Sequence, residues 1–318
     1  MIFINIQHVI KKNWMKFILL FFIMGAINIS VSVAQNRENG FLKAEDQFNK
    51  SRFYSLIISE VAVSTIATIG LQYLWYKKFP KSKFHFFNDN NEWLNMDKVG
   101  HATTAYNISA IQYNALRWCG VNKSNAILGG GFTGLAYLTF IEISDGFSAQ
   151  WGFSKGDMAA NLLGVALFAS QQYAWNQQKI QLRFSYHTTG YAKYNPKELG
   201  ENLAQRLLKD YNGQTYWLSV NVHSLLKQNS GFPKWINADF GYGAEGMIGA
   251  VTNPSLIDGK PVPEFVRRRE LFFSVDGAFA KKDNTPYPAW INIIHLPVPV
   301  VELKTKSRFP MKFKTIYF

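Results

Sequence analysis

Eight side chains between residues 97 and 161 are of types that bind cations, move protons or activate water. They are Asp97, Lys98 and His101 in the run DKVGH, Glu142 and Asp145 in EISD, and Ser154, Asp157 and Asn161 in SKGDMAAN. The sequence around them is largely apolar, where a carboxylate is costly unless it is paired or bound. Asp97, His101, Glu142 and Asp157 are ligand types for a divalent metal, and imidazole with carboxylate favours zinc, manganese or iron over calcium. A metal held there would activate water against a phosphate or ester linkage. Without metal, His101 is a candidate general base with Glu142 as its orienting carboxylate. A third reading is a buried polar network in which Lys98 and His101 neutralise the carboxylates and tie helices together. All three stand open, and the residues alone assign no reaction. Ser154 lacks a Gly-x-Ser-x-Gly elbow and Cys119 has no adjacent base, so neither is a candidate nucleophile.

The elements that must position these groups follow from the sequence pattern. A helix is expected from Asp97 to about Trp118, a second, apolar one from about Ser124 to Glu142, and a third from Asp157 to about Trp175 with the stripe Met158, Leu162, Val165 and Phe168. In an antiparallel bundle the start of the first, the end of the second and the start of the third lie at one end, so Asp97, Glu142 and Asp157 should converge. Asp97 with His101, and Asp157 with Asn161, are four apart and share a helix face. Ser154, three before Asp157, reads as a cap. Gly130 and Gly134 have the spacing that permits close helix contact. A further helix, Phe53 to Tyr76, carries one acidic residue, Glu60, over a length sufficient to cross a bilayer.

DKVGH, then E-x-x-D, then GFSKGDMAANLLG resembles the YfiM-like family of periplasmic lipoproteins, which carries a domain of unknown function. At greater distance the order looks like the VanZ family of small four-helix membrane proteins linked to glycopeptide-antibiotic tolerance. The resemblance covers roughly residues 93 to 175, at Asp97, Lys98, His101, Glu142, Asp145, Ser154, Asp157, Asn161 and Gly164. It implies an uncharacterised envelope protein whose polar-centred bundle binds or senses a lipid or cell-wall component. One departure is plain: a lipoprotein needs a cysteine just after its leader, and the single cysteine here is Cys119. N-terminal lipidation is therefore not expected.

Lys11, Lys12 and Lys16 precede the apolar run FILLFFIMGAI, and Ser32-Val33-Ala34 supplies small residues for cleavage, so 1–34 reads as an export signal peptide. Export places the chain in the cell envelope, facing the periplasm, and excludes nucleic acid as a partner despite a net charge of +13. With 47% hydrophobic, 16% aromatic and only 17% charged residues, the composition leans toward membrane association. Residues 35–52 read as a linker, and Lys77, Lys78, Lys81 and Lys83 suit anionic headgroups.

From Lys179 the period shifts from about 3.6 to 2. Leu182, Phe184 and Tyr186 alternate with Gln181, Arg183 and Ser185, and similar alternation marks 216–223, 236–242 and 273–279. These read as half-buried antiparallel strands interrupted by a helical insert, 196–210. A sheet packed on the bundle is the plainer reading; a small outer-membrane barrel, encouraged by the aromatics and the terminal Phe318, is the sharper one. His187, His223 and His295 show no ligand spacing and read as ordinary surface or core residues. The expected fold is thus α+β: an antiparallel four-helix membrane-associated bundle over 53–178, followed by a β-rich region over 179–318. For function, binding or sensing of an envelope component stands first. A metal-dependent hydrolase or transferase acting on a lipid-linked substrate stands second, and a structural envelope scaffold third.

Overall fold

Helix packing at the centre of the molecule is set by residues that lack bulk. The computed structural model describes residues 47–74, 76, 79–226, 230–277, 293–295, 298–305 and 311–317. The leader expected at 1–34, the linker before residue 47, Lys77, Lys78 and the terminal Phe318 lie outside them. Among the described residues are four long helices, α1 (Lys50–Leu74), α2 (Met96–Trp118), α3 (Lys123–Gly146) and α4 (Lys155–Trp175). A Cβ on Gly134 of α3 would stand 2.8 Å from the Ala105 carbonyl oxygen of α2, and one on Gly164 of α4 would stand 2.1 Å from the Ala102 carbonyl oxygen. Glycine lets both helices close on α2. Tyr106, Tyr113, Leu116, Ala126, Ile127 and Phe168 fill the space between the three.

Helix α1 departs from the expected four-helix bundle. Phe53 and Leu56 join the core at its start, and Arg52 Nη1 donates to the Trp118 carbonyl at 3.0 Å. Beyond that, Ile58, Val61, Val63, Ile66, Ile69 and Tyr73 are exposed. Among the described residues, two helices, Lys50–Tyr73 and Lys123–Gly146, are long and apolar enough to cross a membrane; 39% of the second's apolar window is buried inside the protein and 6% of the first's.

The C-terminal region is an antiparallel sheet of six strands among the described residues: β1 (Ile180–Tyr186), β2 (Gln214–Asn221), β3 (Ile236–Glu245), β4 (Arg268–Gly277), β5 (Val298–Lys304) and β6 (Met311–Tyr317). Each pairs with its neighbour in sequence, giving the order β6-β5-β4-β3-β2-β1, an up-and-down meander. The 196–210 insert forms two short helices, Pro196–Leu199 and Leu203–Lys209.

The polarity of this sheet is inverted. One face carries Arg183, Thr215, Trp217, Ser219, Asp239, Glu270, Phe272, Asp276 and Glu302, all buried. The alternating positions Leu218, Phe240, Phe273, Val275 and Phe313 are exposed. The polar face is enclosed because the sheet curls. In a flat sheet β1 and β4 stand three spacings, about 14 Å, apart, yet the Arg183 guanidinium on β1 pairs with Asp276 on β4. Tyr317 on β6 likewise brings its hydroxyl to 2.9 Å from that of Thr215 on β2. The lower rows of the apolar face, Phe184, Tyr216 and Tyr242, pack with Trp93, Met96 and Tyr211 beside the start of α2.

Candidate functional site

The first turn of α4 organises the cluster at the helix ends. Ser154 caps it: the Asp157 backbone N–H donates to Ser154 Oγ at 3.1 Å, satisfying a free helix donor. The Ser154 backbone N–H donates to Glu142 Oε2 at 2.9 Å, which fixes the end of α3 against the start of α4. A short parallel pairing of Phe86–Phe87 with Phe153–Ser154 then delivers Asp89, and Ser154 Oγ donates to its Oδ1 at 2.7 Å. From α2, Lys98 Nζ reaches Asp89 Oδ1 at 2.7 Å and Asp157 Oδ1 at 3.0 Å.

His101 stands one turn further along α2. Its Nδ1 is 3.1 Å from Asn161 Oδ1, so with that oxygen accepting, Nδ1 carries a hydrogen. Nε2 is then directed at Glu142 Oε1, 3.5 Å away, and Asp97 Oδ1, 3.9 Å away. A neutral imidazole would turn a lone pair toward two carboxylates. The arrangement is favourable with a proton shared between Nε2 and a carboxylate, on either partner, or with a cation among the three groups. Asp97 also accepts a hydrogen bond from the Tyr211 hydroxyl. Ligand atoms of Asp97, His101 and Asp157 all lie within 4.8 Å of one another. Asp145, one turn beyond Glu142, accepts from the Tyr76 hydroxyl at 2.7 Å and takes no part in that trio.

Acidic and basic groups are unequal in number. Four carboxylates, Asp89, Asp97, Glu142 and Asp157, face two cationic groups, Lys98 and His101. Burial pushes Glu142 up to about 7, the His101 charge only partly opposing it. Burial also raises Asp157, with Asp97 adding repulsion. Burial opposes the His101 imidazolium, but Asp97, Asp157 and Glu142 together outweigh it, so its pKa is raised. Carboxyl groups shifted in this way occur at functional sites and in structural ion-pair networks alike. Asp97 keeps 27% of its side chain exposed and is the open side of the cluster; Glu142 and Asp157 are sealed. A cleft of about 350 Å³ lined by Phe86, Phe87, Asn88, Asn90, Lys155 and Gly156 lies beside it.

Of the residues singled out in the sequence, the structure brings together Asp97, Lys98, His101, Glu142, Ser154, Asp157 and Asn161, and sets Asp145 to the side. The sequence reading missed Asp89 and Tyr211. Asp89 lies in a polar run ahead of α2, and only the two-residue pairing with Phe153–Ser154 brings it in. Tyr211 comes from the far side of β1, with no spacing that ties it to Asp97.

Residues 85–173 match the model of a family described as "Predicted periplasmic lipoprotein (DUF2279)". The match spans under a third of the chain and includes every residue of the cluster except Tyr211. It supports an exported, envelope setting of unknown function. Cys119, the one cysteine of the sequence, is buried at the end of α2. No curated protein and no solved structure matches the chain.

Proposed function

We propose that this chain is a membrane-associated envelope protein whose helix-end cluster binds a lipid or cell-wall component through a cationic group that the component carries. The observation that carries this reading is the convergence of Asp97, Glu142 and Asp157, from three helices, around His101, with acidic groups outnumbering basic ones and Asp97 open to solvent. A protonated amine, such as that of a phospholipid headgroup or a cell-wall peptide, is the organic cation that complements it. The resemblance to the YfiM-like and VanZ-like families points the same way.

Membrane association draws on two surfaces. Helix α1 leaves most of its apolar length uncovered. The sheet turns apolar rows outward and polar rows inward, the pattern of strands that meet lipid. Strands β3 and β4 have ten residues each; at about 3.3 Å per residue and a tilt of about 45° they rise about 23 Å, close to the apolar band of an outer-membrane protein. In this reading α3 is a core helix and the cluster lies outside the bilayer.

The test uses the full chain purified in mild detergent. Native mass spectrometry should find one envelope-derived adduct on the wild type that is absent from a folded Asp97→Asn, Asp157→Asn double variant. Flotation with phospholipid vesicles should carry both proteins. Identical adducts on both would defeat the binding role, and failure to float would defeat the membrane role.

A second reading, a metal-dependent hydrolase or transferase on a lipid-linked substrate, draws on the 4.8 Å grouping of Asp97, His101 and Asp157. Those residues would hold the ion, with Glu142 placed to take a proton. It requires stoichiometric metal that an Asp157→Ala, His101→Ala double variant loses.

A further inference from the structure

The polar interior of the curled sheet holds a second group of ligand-type side chains, distant in sequence from the first. Asp239 of β3, Asp276 of β4 and His295, from the segment beside β1, place one ligand atom each within 4.8 Å of one another, and all three are buried. Two of them are polar groups without ordinary partners. Neither oxygen of Asp239 and neither ring nitrogen of His295 has a hydrogen-bond partner among the described residues, although each residue is only 1% exposed. A buried carboxylate that accepts no hydrogen bond is costly and calls for an explanation.

The spacing supplies one. His295 Nε2 lies 3.6 Å from Asp239 Oδ2, longer than a hydrogen bond. Two ligands of a tetrahedral ion with bonds of about 2.1 Å stand about 3.4 Å apart. The surroundings hold the ligands in place. Asp276 is fixed by the Arg183 guanidinium and by Asn237 Nδ2 at 3.0 Å. Asn237 is itself held by Asn221 Nδ2 at 3.1 Å. The His295 ring stacks on Trp217 with centroids 3.8 Å apart and planes 6° from parallel. The segment carrying it is pinned by Phe184 N–H to the Ile293 carbonyl at 2.7 Å and His295 N–H to the Phe184 carbonyl at 2.9 Å. Partners that orient a ligand from behind are characteristic of metal centres. Arg183 balances Asp276, which leaves the charge of Asp239 for a cation to meet.

We infer that Asp239, Asp276 and His295 form a buried structural site for a divalent first-row metal ion of the zinc or manganese class, clamping β3 and β4 to the 293–295 segment across the sheet interior. One imidazole and two carboxylates are the donor set such ions accept. Because the site is sealed, its role is to hold the sheet rather than to meet substrate. It does not depend on the reading of the helix-end cluster.

The test is elemental analysis of the purified full chain together with thermal unfolding before and after chelation. The wild type is expected to hold one equivalent of metal more than folded Asp239→Asn and His295→Gln hold. Chelation should lower the unfolding temperature of the wild type, and zinc or manganese alone should restore it. The chelated wild type serves even if the variants fail to fold, since restoration by added metal needs no substitution. Metal content unchanged in folded Asp239→Asn and His295→Gln would overturn the inference. So would a chelated wild type indifferent to added metal.

Discussion

Two groups of one histidine and two aspartates sit among the described residues, Asp97–His101–Asp157 at the helix ends and Asp239–Asp276–His295 inside the curled sheet, and their surroundings differ in ways that assign them different work. The first opens to solvent through Asp97 and is densely hydrogen-bonded by Lys98, Ser154, Asn161 and Tyr211. The second is closed, and two of its three members lack hydrogen-bond partners among the described residues. An open cluster with more acidic than basic groups suits a ligand that comes and goes. A closed one suits an ion that stays. The lesson is that residue type nominates a site while burial and partner supply decide its use.

The contrast can be strained at its stronger end first. Arg183→Met should destabilise the fold by about 3–5 kcal/mol in denaturant unfolding, because it strands Asp276 in the sheet interior without its guanidinium. A loss under about 1 kcal/mol would mean that the interior admits water and that the closed cluster is not closed.

The next effect belongs to the open cluster and is read through pH. Folded Glu142 keeps its proton to about 7, whereas its ordinary value is 4.5. Between those values the folded state binds more protons than the unfolded state, so stability falls as pH rises. The raised His101 acts in the same direction, its favourable contribution being lost as pH climbs through its folded value. At roughly 1.4 kcal/mol per pKa unit, Glu142 accounts for about 3 kcal/mol over this window. Unfolding measured from pH 5 to 8 should show this decline in the wild type and a flatter profile in Glu142→Gln. Parallel profiles would remove Glu142 from the electrostatics of the site.

Smaller effects test how the helix ends are held. Gly164→Ala would ordinarily gain about 1 kcal/mol of helix propensity, but its Cβ would meet the Ala102 carbonyl at 2.1 Å. A net loss of about 1–3 kcal/mol is expected from the forced separation of α2 and α4, and a gain in unfolding temperature would show that the two helices are not in close contact. Ser154→Ala should cost about 1 kcal/mol through the lost cap. Its cost should shrink in an Asp89→Asn background, since Ser154 Oγ also serves Asp89; strict additivity would sever that link.

Much of the helix-end cluster was legible because its logic is local. Asp97 with His101 and Asp157 with Asn161 share faces through helical spacing, Ser154 announces a helix start, and antiparallel connection brings the three ends together. The helices ran close to expectation, Met96–Trp118 against 97–118 and Lys155–Trp175 against 157–175. The sheet was legible in period but not in facing. Alternation at Leu182–Arg183–Phe184 or Trp217–Leu218–Ser219 reads identically whether the apolar or the polar set turns inward, and only the curl, reported by Arg183 reaching Asp276, decides it. That inversion also hid His295, which shares no spacing with Asp239 or Asp276 and is brought to them by pairing with β1.

The most direct test of the helix-end convergence is the titration of His101 itself, followed by NMR of histidine-labelled protein and assigned with His101→Gln. Three carboxylates gathered around the ring should hold its pKa above the ordinary 6.5, and each of Asp97→Asn, Glu142→Gln and Asp157→Asn should bring it down. A His101 that titrates at or below its ordinary value in the wild type, unmoved by those substitutions, would contradict the account.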